Sequence, residues 1–290
     1  MSKRCINNLA LVCVVCLLVT IFSGFVLAEN EKDNDLIALG YTDIPLYIDG
    51  ILIGQGLMID ATTYVPFRAF CEAMDKNVVV AWDSNSMTAT ASMEKIKISV
   101  TLGEKVMTAN DRCFYLPGGV KKISGVVMVP IRETAKAFGI DVNWNSSNWS
   151  VSIDSSAVVP LMTGGLFYNE EDLYWLSRII YAESGNQPFE GMLGVGNVVL
   201  NRVKDPTCPD TVKDVIFDNR YGTQFHPTSS TIIHQEPPAH AVVAAKACLE
   251  GYNTVGNSLF FINPEFTESA SWFRETRTFI AAYGDHEFFA

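Results

Sequence analysis

The sequence is poor in basic residues, and its N-terminal half lacks histidine. Lysine and arginine number 21 against 32 acidic residues, which gives a net charge of -11. Proteins that bind nucleic acid neutralise phosphates with basic patches, so this acidic balance argues against nucleic acid as a partner. Histidine is absent between residues 29 and 155, where the only thiols are Cys71 and Cys113. No metal chemistry is therefore expected in the N-terminal half.

Long apolar runs are also scarce, and the one that could cross a bilayer lies at the start of the chain. Lys3 and Arg4 precede an apolar run from Leu9 to Val19, and the small residues of Val26-Leu27-Ala28 suit a signal peptidase. We predict a signal peptide over residues 1–28 and hence a secreted protein. A retained anchor is the alternative, because residues 6–28 are long enough to span. Cleavage would leave 19 basic and 32 acidic residues, a net charge of -13.

Seven cysteines are present, three of them within the predicted signal peptide. The other four are Cys71, Cys113, Cys208 and Cys248. An even number outside the cell permits disulfides, and the pairs Cys71 with Cys113 and Cys208 with Cys248 would each stay within one half of the chain. Free buried thiols are the alternative, because a chain of this length can build its cores without disulfides.

The N-terminal half contains an internal repeat. The segments Val65-Pro66-Phe67-Arg68 and Val129-Pro130-Ile131-Arg132 share a Val-Pro-apolar-Arg pattern, and each is followed by a tryptophan in a similar context, Trp82 and Trp144. Repetition of this kind predicts two related supersecondary units. Trp82, Trp144 and Trp149 could stack on sugar rings, but equivalent repeat positions favour a core role for Trp82 and Trp144.

Local signals in this half indicate short helices between strands. Pro66 and Pro130 suit the first turn of a helix. Asp49-Gly50 between apolar runs is typical of a two-residue hairpin turn. Residues 95–100 and 149–153 alternate as half-buried strands do, and residues 83–86 and 145–148 are typical of turns.

The C-terminal half is predicted to be mostly helical. Asn169 can cap a helix with an acidic first turn that runs to Glu183. Further helices are predicted from Phe189 to Val203, after a cap at Asp210, and over residues 239–250. Short strands are predicted at residues 259–261 and 287–289.

Glu183 is the strongest candidate for chemistry. It ends an aromatic-rich amphipathic segment, and Ser184-Gly185-Asn186 follow it. Apolar surroundings and the negative C-terminal end of a helix both favour the protonated carboxyl, which could then act as an acid near neutral pH. An ordinary surface glutamate near a helix end is the alternative.

Several ordered motifs resemble the SleB-like, spore-cortex-lytic family of cell wall hydrolases. The motifs are Tyr181-Ala182-Glu183, Gly191, Val198 to Val203, Pro209 to Val212, Val215-Ile216, Gln224-Phe225, Ala241 to Gly251, Phe260 to Pro264 and Gly284 to Phe288. The resemblance implies a lysozyme-like, mostly helical α+β domain that cleaves peptidoglycan glycan strands without a cofactor. It also implies that Glu183 is catalytic and that Tyr181, Gln224, Phe225 and Asn263 line the sugar groove. His226 and Phe289 depart from the usual Ser and Tyr of the family.

The N-terminal half resembles the copper-amine-oxidase-like N-terminal domain, which implies an α+β module that contacts the wall or an accessory protein. The predicted organisation is a signal peptide at 1–28, this repeat module at 37–155, a linker at 156–168 and the SleB-like domain at 169–290. The fold class is α+β throughout.

The reaction that the resemblance favours is lytic transglycosylation. Two carboxylates normally cleave a glycosidic bond, but no second acid has a context as suggestive as that of Glu183. A single Glu would act as acid and then as base, leaving 1,6-anhydromuramoyl ends in spore cortex or cell wall. The alternatives are a hydrolytic muramidase, an amidase with zinc bound by His226, His234, His240 or His286, and a wall-binding protein that is not an enzyme.

Overall fold

The computed structural model describes residues 41–157, 161–220 and 222–290, so the predicted signal peptide lies outside the described residues. Two parts follow one another, the repeat module (residues 41–153) and the C-terminal domain (residues 164–290). The mixed α+β class predicted from the sequence is confirmed. None of the helices in the described ranges is long and apolar enough to cross a membrane.

The repeat module is built from short strands and two short helices. Its elements are β1 Thr42–Ile48, β2 Ile51–Ile59, β3 Thr62–Pro66, α1 Phe67–Met74, β4 Val79–Asp83, β5 Thr88–Ser92, β6 Lys97–Thr101, β7 Val106–Ala109, β8 Arg112–Tyr115, β9 Lys121–Ile123, β10 Val126–Pro130, α2 Ile131–Lys136, β11 Val142–Asn145 and β12 Ser150–Ile153. One sheet has the order β11-β12-β1-β2-β3-β10-β9, and the other has the order β4-β5-β6-β7-β8.

The two repeats meet at the antiparallel pair β3 and β10. Val65 lies opposite Val129, and these are the same position of the two repeats. A local two-fold axis therefore passes between them. The turns before the two strands agree with this relation, since Ala61 and Gly125 both have positive φ angles, 60° and 83°.

Local predictions in this module are largely confirmed. Asp49 and Gly50 both have positive φ, 51° and 76°, as a primed hairpin turn requires, and they join β1 to β2. Pro66 and Pro130 each end a strand and stand directly before a helix, at its N-cap. The missing N–H of proline costs nothing at a helix start.

The predicted core role of Trp82 and Trp144 is wrong. Their exposed fractions are 41% and 39%, and that of Trp149 is 56%. Trp82 lies on β4 and Trp144 on β11, and each of these strands is at the edge of its sheet. An edge strand has a neighbour on one side only, so its side chains are covered less than those of a central strand.

The four cysteines in the described ranges are free thiols. Cys71, Cys113 and Cys248 are buried and Cys208 is partly buried. Burial raises the pKa of the Cys71 thiol to about 12 and that of Cys113 to about 11. Neither disulfide that the sequence permitted is therefore formed, and the buried thiols act as small core residues.

The C-terminal domain is a group of packed helices followed by a small sheet at the end of the chain. Its elements are α3 Gly164–Phe167, α4 Glu170–Ser184, α5 Phe189–Lys204, α6 Val212–Ile216, α7 Ala239–Leu249, β13 Phe260–Ile262, α8 Ala270–Thr276, β14 Phe279–Tyr283 and β15 His286–Phe289. The sheet order is β13-β15-β14, and β14 and α8 were not predicted. The cap of α6 is Thr211, whose side chain accepts from the Asp214 N–H, so the prediction of Asp210 was wrong by one residue.

Glycines let α5 approach its neighbours closely. A Cβ at Gly194 would lie 2.4 Å from the Phe288 ring, and one at Gly196 would lie 2.7 Å from the Cys248 sulfur and 2.8 Å from Ile180. Glycine costs a helix interior about 1 kcal/mol relative to alanine. The close packing of α4, α7 and β15 against α5 offsets this loss of helix stability.

Ionic and aromatic contacts join the repeat module to the C-terminal domain. Arg112 donates to both carboxylate oxygens of Glu250, through Nε at 2.8 Å, and the pair is largely buried. The Tyr168 hydroxyl donates to the same carboxylate at 2.7 Å. Lys105 and Tyr115 both donate to Glu190. The segment predicted as a linker thus contributes a buried tyrosine to a packed interface.

Candidate active site

Glu183 lies in the last turn of α4, the helix around which the C-terminal domain is assembled. Asn169 caps the start of α4, because its side chain accepts from the Asp172 N–H at 3.0 Å. Leu176, Ile179 and Ile180 are fully buried and anchor the helix in the core. The core therefore holds the helix backbone that carries Glu183.

The Glu183 carboxyl is partly buried, and its pKa is raised from 4.5 to about 7. Burial is the cause, and no charged group of the described residues contributes. Loss of water disfavours the carboxylate form, and the negative end of the helix dipole acts in the same direction. A carboxyl with this pKa holds a proton near neutral pH and can deliver it to a leaving oxygen.

The loop after Glu183 is fastened to the β14–β15 turn by Gln187. Its amide donates to the Asp285 carboxylate at 3.0 Å and accepts from the Asp285 N–H at 2.9 Å. The Ser184 hydroxyl donates to the Ile180 carbonyl at 2.7 Å inside the core. Gln187 was not predicted, because its partner lies 98 positions away and no local pattern signals the pair.

The residues predicted to line a sugar groove occupy different environments. Phe225 is 1% exposed and belongs to the core, so it has no free ring face and the prediction of sugar stacking is wrong for it. Gln224 is held between the Arg202 guanidinium at 3.4 Å and the Gly222 carbonyl at 3.0 Å. Asn263 accepts from the Glu265 N–H at 3.0 Å and so closes a turn after β13.

Tyr181 is partly buried and packs against the domain core. It precedes Glu183 by two positions in α4, and side chains two positions apart in a helix do not share a face. The ring of Tyr181 instead restricts the helix end, since a Cβ at Gly185 would lie 2.7 Å from it.

An aromatic cluster brings three segments of the predicted site together. The Phe261 ring lies 6.2 Å from Phe225, 5.2 Å from His286 and 6.0 Å from Phe288, between ring centroids. It thereby joins the segment of Gln224, the strand before Asn263 and the segment after Asp285. Burial lowers the pKa of His286, which favours the neutral ring in this cluster.

Three other acidic side chains of the domain, Glu190, Glu236 and Asp285, are candidates for a second catalytic carboxylate but are held by other contacts. Glu190 is bonded by the repeat module, and Glu236 pairs with Arg178 at 2.9 Å. Asp285 is held by Gln187. Over the part of the chain that the structure describes, no three His, Cys, Asp or Glu side chains are grouped as metal ligands.

Two known families match different parts of the chain. Residues 186–289 match the family described as Cell Wall Hydrolase, and residues 48–153 match the Copper amine oxidase N-terminal domain. The chain thus carries a cell wall hydrolase domain at its C-terminus and a copper amine oxidase N-terminal domain before it, as its motifs predicted. The family match begins three residues after Glu183.

Individual relatives are similar over the same region. A spore cortex-lytic enzyme of Oceanobacillus iheyensis is 33% identical over 121 residues, 42% of this chain and 42% of that protein. One of Bacillus cereus is 32% identical over 121 residues, 42% of this chain and 45% of that protein. The matched region thus spans less than half the length of these curated relatives.

A solved structure also matches. The catalytic domain of the germination-specific lytic transglycosylase SleB from Bacillus anthracis is 30% identical, with a TM-score of 0.39, and the match covers 45% of this chain and all of that one.

Proposed function

We propose that this protein is a peptidoglycan-cleaving enzyme and that Glu183 is its catalytic acid and base. One observation supports this more than any other: a single partly buried carboxyl whose pKa is raised to about 7 by burial alone. Similar proteins are named spore cortex-lytic enzymes, so the glycan strand of cortex or cell wall is the proposed substrate.

The proposed reaction is lytic transglycosylation at the bond between MurNAc and GlcNAc. Protonated Glu183 donates its proton to the glycosidic oxygen as the bond from the MurNAc anomeric carbon to that oxygen breaks. The resulting Glu183 carboxylate accepts the proton of the MurNAc 6-hydroxyl, whose oxygen attacks the anomeric carbon of the same sugar. A 1,6-anhydromuramoyl end and a new GlcNAc end form, Glu183 regains its proton, and no water is consumed.

The lone carboxyl supports this route over hydrolysis by two carboxylates. A retaining pair lies about 5 Å apart and an inverting pair about 6.5–9.5 Å apart. At such distances the second charge would raise the pKa of the first, yet burial is the cause at Glu183. An internal nucleophile also avoids the entropy cost of recruiting water.

Gln224, Asn263 and Tyr181 are the proposed groove residues, because the amides of Gln224 and Asn263 and the hydroxyl of Tyr181 can donate hydrogen bonds to sugar oxygens. Phe225 supports the groove from the core, through its contact with Phe261. The repeat module is proposed to contact the wall, and the predicted signal peptide would place the protein outside the cell.

Digestion of purified peptidoglycan tests the reaction. The full chain and its Glu183→Gln variant are incubated with peptidoglycan in water enriched in oxygen-18, and released fragments are identified by mass spectrometry. Glu275→Gln is the control, because Glu275 is an exposed residue of α8 and is not a candidate for the catalytic chemistry. We expect anhydromuramoyl ends without oxygen-18 from the parent and the control, and none from Glu183→Gln.

Other products would refute the proposed chemistry. Reducing muramic ends that carry oxygen-18 would show hydrolysis and a second carboxylate. Free stem peptides with intact glycan strands would show an amidase.

A further inference from the structure

Two equivalent grooves cut the surface of the repeat module, and the proposed catalytic role does not use them. We name them the Trp144 groove and the Trp82 groove. The first is lined by Met58, Thr62, Thr63, Arg132, Trp144 and Val151. The second is lined by Lys122, Val126, Val127, Arg68, Trp82 and Ala89.

The grooves correspond position by position. Along the sequence, Met58 to Lys122 and Arg68 to Arg132 are both 64 residues apart, and Trp82 to Trp144 is 62 residues apart. Each groove combines a helix start and a hairpin of one repeat with strand residues of the other, so the two-fold relation at β3 and β10 generates both.

Each groove presents an exposed tryptophan beside an arginine. Arg68 is oriented toward the hairpin of Trp82, because its guanidinium donates to the Val80 carbonyl at 3.0 Å. Glu72 at 3.6 Å supports the same guanidinium from the helix. An exposed indole and a planar donor that line the same groove suit a ring that is apolar on its face and polar around its rim.

A pyranose ring of an amino sugar has that chemistry. Its C–H face can lie on an indole, and its acetamido carbonyl or a carboxylate attached to it can accept from the guanidinium. Volumes of about 420 Å³ and about 340 Å³ fall within the range of small-ligand sites. The protein is acidic overall and would repel an anionic polymer. The arginine in each groove supplies a local positive charge that can attract such a polymer.

The surroundings of the two grooves differ in charge. The Trp144 groove adds the hydroxyls of Thr62 and Thr63 and the carboxyl of Glu133, whereas the Trp82 groove adds Lys122. Hydroxyls and a carboxyl match the hydroxyl rim of a neutral sugar. A second cation matches a sugar that carries a carboxylate.

We propose that these grooves are two glycan-binding sites that hold amino-sugar rings of peptidoglycan strands against Trp82 and Trp144. The identity of the polymer rests on the proposed function of the C-terminal domain, whereas the chemistry of the sites rests on the grooves. Two sites on one chain add their effects, because the second contact is intramolecular once the first has formed.

Binding to insoluble peptidoglycan tests the proposal. The full chain carries Glu183→Gln so that the polymer is not cut, and co-sedimentation is measured for the parent, Trp82→Ala, Trp144→Ala and the double variant. Loss of an aromatic anchor should weaken binding roughly tenfold at each groove, and the double variant should be weaker than either. Trp272→Ala is the matched control, because Trp272 is 50% exposed but lies on α8, outside both grooves.

A second measurement separates a binding defect from a folding defect. Trp82→Phe and Trp144→Phe should keep most of the affinity, and all variants should unfold at the parent temperature. Glycan strands stripped of their stem peptides are the second probe. We expect them to bind with the same dependence on the two tryptophans.

Each other outcome has a defined meaning. Unchanged sedimentation of the double variant would overturn the proposal, and so would binding that requires the stem peptides. Cleavage of short soluble glycans with Glu183 restored should not depend on either tryptophan. If the protein cleaves peptidoglycan but its binding is unchanged in the tryptophan variants, only this inference is refuted. If binding depends on the tryptophans but no cleavage occurs, only the proposed function is refuted.

Discussion

Replacing Glu183 with glutamine should reduce the loss of stability that the protein shows as pH rises from 4 to 8, and it should remove the proposed activity. The folded state holds the Glu183 proton up to about pH 7, whereas the unfolded chain loses it near 4.5. Between these values the folded state binds more protons, so stability falls as pH rises. The interval corresponds to about 3 kcal/mol at about 1.36 kcal/mol per pH unit, and glutamine does not ionise.

The assay compares free energies of unfolding in denaturant at pH 4 and pH 8. The substitution can also change the free energy of unfolding by an amount that does not depend on pH. This amount cancels when the change in free energy of unfolding from pH 4 to pH 8 is compared between parent and variant. We expect the parent to lose about 3 kcal/mol more than Glu183→Gln over this range. The control Glu275→Gln, an exposed position outside the candidate site, should keep the slope of the parent.

Parallel pH profiles for the parent and Glu183→Gln would refute the reasoning, since they would show that burial does not hold the Glu183 proton. Carbon-13 NMR of the Glu183 carboxyl gives the same quantity directly. The activity profile should agree, because the acid must be protonated: cleavage should decline as pH rises through about 7.

Two further predictions concern packing. Gly194→Ala should destabilise the protein by about 1–3 kcal/mol through overpacking against Phe288, whereas Gly165→Ala, with no neighbour within 4 Å, should be nearly neutral; thermal unfolding of both variants decides this, and equal losses would contradict it. Glu250→Gln should cost about 1.5–3 kcal/mol, because it removes the negative charge that pairs with the partly exposed Arg112 guanidinium; denaturant unfolding measures the loss, and a parent-like midpoint would show that the interface does not depend on the pair.

The sequence patterns that predicted structure correctly were local ones. The Asp49-Gly50 turn follows from the backbone angles that a primed turn requires, and the start of α4 follows from the side-chain cap of Asn169. The Val-Pro-apolar-Arg repeat predicted two related units, which meet at Val65 and Val129. These features depend on residues a few positions apart.

The predictions that failed needed long-range information. Trp82 and Trp144 occupy equivalent positions, but the sequence could not show that their strands are sheet edges. Phe225 belongs to a motif that resembles a sugar-binding segment, yet its ring is enclosed by the core. The hydrophobicity of the small strand β14 alternates too weakly to predict a strand. Its pairing with β15 is seen only in the structure.

The sequence by itself determined where the carboxyl of Glu183 stands, at the end of a capped amphipathic helix, because helix formation is set by nearby residues. Only the tertiary structure decided the pKa of that carboxyl, because burial sums the contributions of segments far apart in the chain. It likewise decided that Gln187 holds Asp285 and that Arg112 holds Glu250, 98 and 138 positions away. Such contacts arise when separate elements pack, and no local pattern encodes them.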